Sequence, residues 1–335
     1  MKAAVLPAYN QPWELKDLPD PKPGPGQVLI RIEASGFCGT DVHLHHGHLP
    51  FVPTPIVCGH EPVGIIEELG AGVTHLKKND RVGVSWVQKG CGRCPACQSG
   101  CERYCLEGAQ SWIQLGGGNA ELMLAWATGC TLVPDGVSPE AAAPIFCAGY
   151  TVMSGLRMAD PRPGDRVAII GVGGLGHIGI ELSKALGFET LAVTSSEDKQ
   201  KDALAFGADD VVLAGEDTGK TVMDAGGVDI IVATSTSAKQ ISQAIGGLRP
   251  EGRLVTLGAL DGPLQTQSFS AGSAPRRLMI GTQTERRNLV DALDFVATGA
   301  VKPRVETYSM DRINEVLDRQ AQGKVRYRAV LQYGT

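Results

Sequence analysis

Val167-Ala-Ile-Ile-Gly171-Val-Gly173-Gly174-Leu175-Gly176 is a short, wholly apolar run that ends in a cluster of glycines and opens what reads as a helix. A buried strand followed by Gly-x-Gly-x-x-Gly is the context in which this glycine spacing carries weight. The first glycine, Gly171, permits a tight turn, and Gly173 lets backbone N–H groups approach a pyrophosphate. Gly176 lets the helix pack closely on the strand. The N-terminus of that helix, behind Gly174 and Leu175, adds partial positive charge for the phosphates. The segment predicts a dinucleotide site built on a parallel α/β sheet.

Outward from it, apolar strands alternate with helical stretches: Leu191 to Thr194, Asp210 to Leu213, Ile230 to Ala233 and Leu254 to Leu257. Such alternation argues for right-handed crossovers and a doubly wound sheet. Before residue 130 the texture differs, with short strands such as Gln27 to Ala34, Gly64 to Glu68 and Asp80 to Val84 broken by proline and glycine turns. Ser138-Pro139-Glu140 reads as a helix start. After about 288 come two helical stretches and a last strand, Tyr327 to Gln332. The predicted division is a mostly-β domain over 1–149 and 288–335, and a dinucleotide-binding domain over 150–287.

Composition bounds the function. The 335 residues are 43% hydrophobic and 20% charged, with a net charge of -5. No basic field is present to hold nucleic acid or an anionic membrane. No run approaches the roughly 18 apolar residues of a membrane span. The N-terminus has no signal-peptide pattern, so a cytoplasmic location is expected. In that setting nine cysteines point to metal ligation or core packing rather than disulfides.

Four of the nine form a lobe. Cys91-Gly-Arg-Cys94-Pro-Ala-Cys97, followed by Cys105, suits a closed tetrahedral zinc site of four thiolates. An iron–sulfur cluster would use the same ligand type. Cys101 lies inside this loop as a spare, and neither it nor Cys58 nor Cys130 receives a role. Three further segments carry soft ligands: Cys38 in Phe37-Cys-Gly-Thr-Asp-Val-His43, His60 in Cys58-Gly-His-Glu61, and Cys147 in Phe146-Cys-Ala-Gly-Tyr-Thr151. Two cysteines and a histidine leave a fourth position of a zinc ion open, as a catalytic site requires. Asp41 is a candidate to orient the His60 ring, and Glu61 a candidate nearby charge or occasional ligand.

The order Cys-Gly-Thr-Asp-Val-His, Gly-His-Glu, the four-cysteine lobe, Cys-Ala-Gly-x-Thr and Gly-Val-Gly-Gly-Leu-Gly resembles the zinc-containing medium-chain alcohol dehydrogenases, along nearly the whole chain. The resemblance implies a GroES-like catalytic domain joined to a Rossmann domain. It also implies Zn²⁺ at two sites: catalytic on Cys38, His60 and Cys147, structural on Cys91, Cys94, Cys97 and Cys105. Hydride would pass between NAD(P)(H) and an alcohol, or in reverse onto an aldehyde or ketone. Thr40 and His43 match a proton relay that runs through the cofactor ribose. Thr151, Thr282 in the Ile280-Gly-Thr turn, and Arg328 match positions near the cofactor. Leu49, Trp86 and Trp112 fall at or beside pocket positions. Leu49 stands where relatives often have tryptophan, which suggests room for medium-sized or aromatic alcohols. A homodimer or homotetramer is the family expectation.

The second strand ends without the carboxylate that an NAD site uses on the ribose 2′-hydroxyl. Thr194, Ser195, Ser196 and Lys199 offer hydroxyls and a cation instead, which suits a 2′-phosphate and resembles the cinnamyl-alcohol-dehydrogenase-like branch. Glu197 and Asp198 nearby speak for NAD(H), so NADP(H) is the preferred expectation and NAD(H) the second. Two other readings stay open here, a zinc-free quinone-reductase-like oxidoreductase and a non-catalytic NADPH-binding protein of the same fold.

Overall fold

The computed structural model describes residues 1–111, 113–266 and 274–333. Its chain divides into two compact units, Met1–Cys147 with Pro303–Thr335, and Ala148–Lys302. Trp112 lies outside the described residues.

The first unit is organised by one long strand, Gln27–Phe37. It pairs antiparallel with Pro62–Leu69, with Leu122–Trp126 and with Arg328–Gln332. The sheet extends through Arg81–Val84 to Cys130–Leu132 on one side and to Val305–Ser309 on the other, making seven strands. Glu14–Asp17, Lys2–Leu6 and Ile56–Val57 form a separate three-stranded sheet. Val28, Ile30 and Ile32 alternate onto one side of the long strand, where Leu6, Phe37, Leu44 and Ile66 join them in the core. Each such side chain contributes about 1.5–3 kcal/mol on burial.

The second unit is a six-stranded parallel sheet in the order Asp210–Leu213, Glu189–Thr194, Arg166–Ile170, Val228–Ala233, Leu248–Leu257, Arg277–Gly281. The strand before the glycine cluster, Arg166–Ile170, is buried along its whole length and pairs with both Glu189–Thr194 and Val228–Ala233. The strand order therefore reverses beside it, and ligand crevices of doubly wound sheets open at such a reversal. The architecture is the α/β class expected, a mostly-β unit and a doubly wound unit.

Two details differ from the sequence reading. The edge strand Arg277–Gly281 has no counterpart among the strands inferred from apolar runs: its apolar stretch, Leu278-Met279-Ile280, is short, and Leu278 and Ile280 face outward at 43% and 88% exposure. Ile280 and Gly281 consequently end a strand rather than form a turn. The return to the first unit comes at Pro303 and not near 288. Helix Arg286–Ala297 belongs to the second unit, where Arg157 donates to Asn288 Oδ1 at 2.7 Å and Tyr150 Oη to the Thr284 carbonyl at 2.7 Å.

Candidate active site and metal centres

Cys38 directly follows the long strand and caps helix Gly39–His45. Its sulfur accepts from Thr40 N at 3.3 Å, while Asp41 Oδ2 accepts from Cys38 N at 2.9 Å. This reciprocal cap fixes the sulfur and also holds Asp41 in the interior. Strand register brings the partners. Ser35 pairs with Pro62, so the residues just before Pro62, His60 and Glu61, sit beside the end of the long strand. On its other flank Ala329 pairs with Phe37, which sets Arg328 beside Cys38. Cys147 follows the 3-10 turn Ala143–Phe146, anchored by the fully buried Ile145 and Phe146.

Ligand atoms of Cys38, His60, Glu61 and Cys147 all lie within 4.8 Å of one another. Cys38 Sγ is 3.2 Å from His60 Nε2, and His60 Nδ1 is 3.7 Å from Asp41 Oδ1. Glu61 Oε1 accepts from the Arg328 guanidinium, whereas Glu61 Oε2 is buried and meets no hydrogen-bond partner among the described residues. The Trp86 and His60 ring centroids are 5.7 Å apart, and Leu49 packs half-buried against the core of this unit.

Charge is concentrated here. The hydrogen bond from Cys147 holds the Cys38 thiol well below its ordinary range, against burial and with help from His60 and Arg328. The same contact, with burial, pushes Cys147 up. Burial opposes the imidazolium of His60, yet Cys38 and Asp41 raise it well above the usual value. Burial lifts Glu61 to about 7 against the pull of Arg328. Two sulfurs that cannot ionise together without a cation, converging with a buried imidazole, are a donor set that fits a divalent ion.

The four-cysteine lobe fits one too. The sulfurs of Cys91, Cys94, Cys97 and Cys105 lie within 4.8 Å of one another, none is in a disulfide, and Cys91 and Cys97 are 4.0 Å apart. Tetrahedral zinc with 2.3 Å bonds separates its sulfurs by about 3.8 Å. Backbone N–H groups of Arg93 and Cys94 lower Cys91 to about 6. Desolvation and the neighbouring sulfurs raise Cys97 to about 12. Cys101 stands apart, donating weakly to the Ser99 carbonyl, and Cys58 and Cys130 are core residues.

Of the remaining predicted residues, Thr40 and His43 share one helix, three positions apart and half-buried. Arg328 is 2% exposed, so it is an interior partner of Glu61 and not a surface ion pair. In the second unit Gly171 takes φ +95°, a Cβ on Gly176 would meet Gly171 O at 1.8 Å, and a Cβ on Gly173 would meet nothing within 4 Å. Thr194 is buried at 3%, and its hydroxyl accepts from Ser196 N. Ser196 Oγ is taken up by the Asp198 carboxylate. Thr151 accepts from Gln283 at 3.4 Å, and Thr282 is exposed.

A cleft of about 320 Å³ opens at the ends of these strands, lined by Ser195, Gly215, Glu216, Ser237 and Lys239 among others. Lys199 is not in its lining and Lys239 is. Sequence reading passed over Lys239 because only the parallel register carries the start of helix Ala238–Ala244 to the neighbourhood of Ser195.

Residues 24–135 match the alcohol dehydrogenase GroES-like domain, and residues 174–298 match the zinc-binding dehydrogenase family. The chain is 39% identical to an alcohol dehydrogenase of Geobacillus stearothermophilus, covering 99% of this chain and 98% of that one. It is 34% identical to the NADP-dependent alcohol dehydrogenase C 1 of Mycolicibacterium smegmatis, over 92% and 90%. A cinnamyl alcohol dehydrogenase structure from Sorghum bicolor superposes with a TM-score of 0.89 at 27% identity, over 99% and 97%. These likenesses favour neither a zinc-free reductase nor a non-catalytic protein. The chain belongs to the zinc-containing medium-chain alcohol dehydrogenases, enzymes that need zinc and a nicotinamide dinucleotide to interconvert alcohols and carbonyl compounds.

Proposed function

We propose that the enzyme works with NADP(H) in preference to NAD(H) on medium-sized or aromatic alcohols and the matching aldehydes, with one catalytic and one structural zinc per chain. The single observation that carries the cofactor reading is the absence of a carboxylate at the end of Glu189–Thr194, where Thr194 and Ser195 stand instead. Lys239 in the cleft beside Ser195 supplies a cation that a 2′-phosphate needs. A relative that is NADP-dependent by name supports the same reading. Glu216 in that cleft is the observation favouring NAD(H).

Cys38, His60 and Cys147 would hold the catalytic ion, with Glu61 an alternate ligand, and Cys91, Cys94, Cys97 and Cys105 the structural one. Zinc in the first site supplies Lewis acidity, lowering the pKa of a hydroxyl or polarising a carbonyl. The chain's residues do the rest. Asp41 orients the imidazole of His60. Thr40 Oγ1 accepts the proton released by the alcohol, and His43, one helical turn along the same face, passes it to water. Arg328 holds the Glu61 carboxylate, and through it the charge balance around the ligands. Trp86 and Leu49 bound the space for the substrate's organic group, and apolar contacts of that kind discriminate by only about 1–3 kcal/mol per methylene.

The test is kcat/KM for NADP⁺ against NAD⁺ with benzyl alcohol, in the parent and in Thr194→Asp. NADP⁺ is expected to be preferred in the parent and NAD⁺ in the variant. An unchanged ratio would remove the 2′-phosphate from Thr194. A preference for ethanol over benzyl alcohol and octanol would remove the open pocket.

A further inference from the structure

Four of the chain's seven histidines crowd into the six residues from His43 to His48, and the fold gives two of them a specific relation. Helix Gly39–His45 closes with His46 N donating to Val42 O at 3.1 Å and Gly47 N to Leu44 O at 2.9 Å. Gly47 then turns at φ +74°, a conformation that costs glycine little. His48 N reaches back to His43 O at 2.9 Å. This turn faces the two rings toward each other, with Nδ1 of His43 and Nδ1 of His48 3.2 Å apart and ring centroids at 5.5 Å. Two imidazole nitrogens bound to one tetrahedral ion at about 2.05 Å stand about 3.3 Å apart. The two nitrogens, now joined by a hydrogen bond, are thus already at the spacing that a chelated ion requires.

We propose that His43 and His48 form a third metal site, a labile two-imidazole chelate for a divalent transition ion such as Cu²⁺ or Zn²⁺, whose occupation inhibits turnover. His48 is exposed and His43 half-buried, so an ion reaches them from solvent. Carbonyls at the C-terminal end of the helix favour a cation there. Among the described residues no third histidine, cysteine, aspartate or glutamate completes a cluster around this pair. Water fills the remaining positions, and the ion exchanges readily, unlike ions held by four protein donors. Imidazole pairs follow the general order of affinity in which Cu²⁺ exceeds Zn²⁺. A metal on Nδ1 leaves the other nitrogen of His43 carrying its hydrogen, so the ring can no longer accept a proton. The inhibitory half of the proposal rests on the relay role of His43 proposed above, and the binding half does not.

The experiment titrates zinc-loaded enzyme with Cu²⁺, following the copper EPR spectrum, the zinc content and the turnover together. Expected are one Cu²⁺ per chain with hyperfine structure from two imidazole nitrogens, retained zinc, and at least a tenfold loss of turnover that a chelator reverses. His48→Ala should keep its basal turnover while losing both the two-nitrogen signal and the inhibition. His45→Ala should behave as the parent. Absence of a copper signal in the parent, or an identical signal and inhibition in His48→Ala, overturns the site. A signal that His48→Ala abolishes, without inhibition of the parent, overturns the inhibitory half alone. The relay is read separately, from the turnover of His43→Ala at low and high pH with no copper added.

Discussion

Gly36→Ala probes how tightly the candidate ligand cluster is packed. Gly36 lies in the long strand, and its N–H donates to Glu61 O at 3.1 Å. A Cβ there would stand 1.9 Å from Glu61 Oε2, 2.8 Å from its Cδ and 2.9 Å from its Cβ. Rotating the Glu61 side chain relieves the first two contacts and leaves the third, so the backbones of paired strands must also part. The carboxylate must retreat by at least about 1 Å in a close-packed interior, away from the buried Arg328 it pairs with. Breaking a buried ion pair costs about 3–5 kcal/mol. For a unit of this size each kcal/mol lowers Tm by about 2–4 °C, so a fall of roughly 6–20 °C is expected by calorimetry, with loss of zinc on dialysis. Gly39→Ala is the control: its Cβ meets nothing within 4 Å, and alanine favours the helix by about 1 kcal/mol. In a Glu61→Ala background, Gly36→Ala should cost less than half of what it costs in the parent. Strict additivity of the two substitutions, or a parent-like Tm for Gly36→Ala, would refute the packing argument.

Three further outcomes are expected. Asp41→Asn removes the charge 3.7 Å from His60 Nδ1 and should weaken zinc binding about 10–100-fold, measured by competition with a chromophoric chelator. Gly176→Ala forces a Cβ to 1.8 Å from Gly171 O and should weaken dinucleotide binding by about tenfold or more by calorimetric titration, because helix and strand can no longer approach; its zinc content should match the parent. Cys105→Ser breaks the four-sulfur set and should leave one zinc fewer per chain by elemental analysis, with the ion on Cys38, His60 and Cys147 retained.

Local chemistry was legible in the sequence wherever the chemistry is local. The glycine cluster after an apolar strand, the two-residue gaps of the cysteine lobe, and the Ser138-Pro139 helix start all depend on neighbours within a few positions. Backbone geometry at that range follows from residue type, so the fold class and the convergence of the four lobe cysteines could be read directly. The edge strand Arg277–Gly281 escaped because its apolar stretch, Leu278-Met279-Ile280, falls short of the roughly four to eight residues by which buried strands are recognised.

The sequence by itself determined which groups could ligate, donate and turn; the tertiary structure decided which of them meet. Cys38, His60, Glu61, Cys147 and Arg328 are scattered over nearly the whole chain, and no spacing rule joins them. His60, Glu61 and Arg328 reach Cys38 because Ser35 pairs with Pro62 and Phe37 with Ala329, and a slip of one residue in either register would turn those side chains to the opposite face; Cys147 arrives separately, behind the buried turn Ala143–Phe146. Lys239 beside Ser195, Arg328 drawn inside to Glu61, and the facing rings of His43 and His48 are results of the same kind. Each depends on where a strand or turn ends in space, which hydrogen-bond register and packing fix and residue order alone does not.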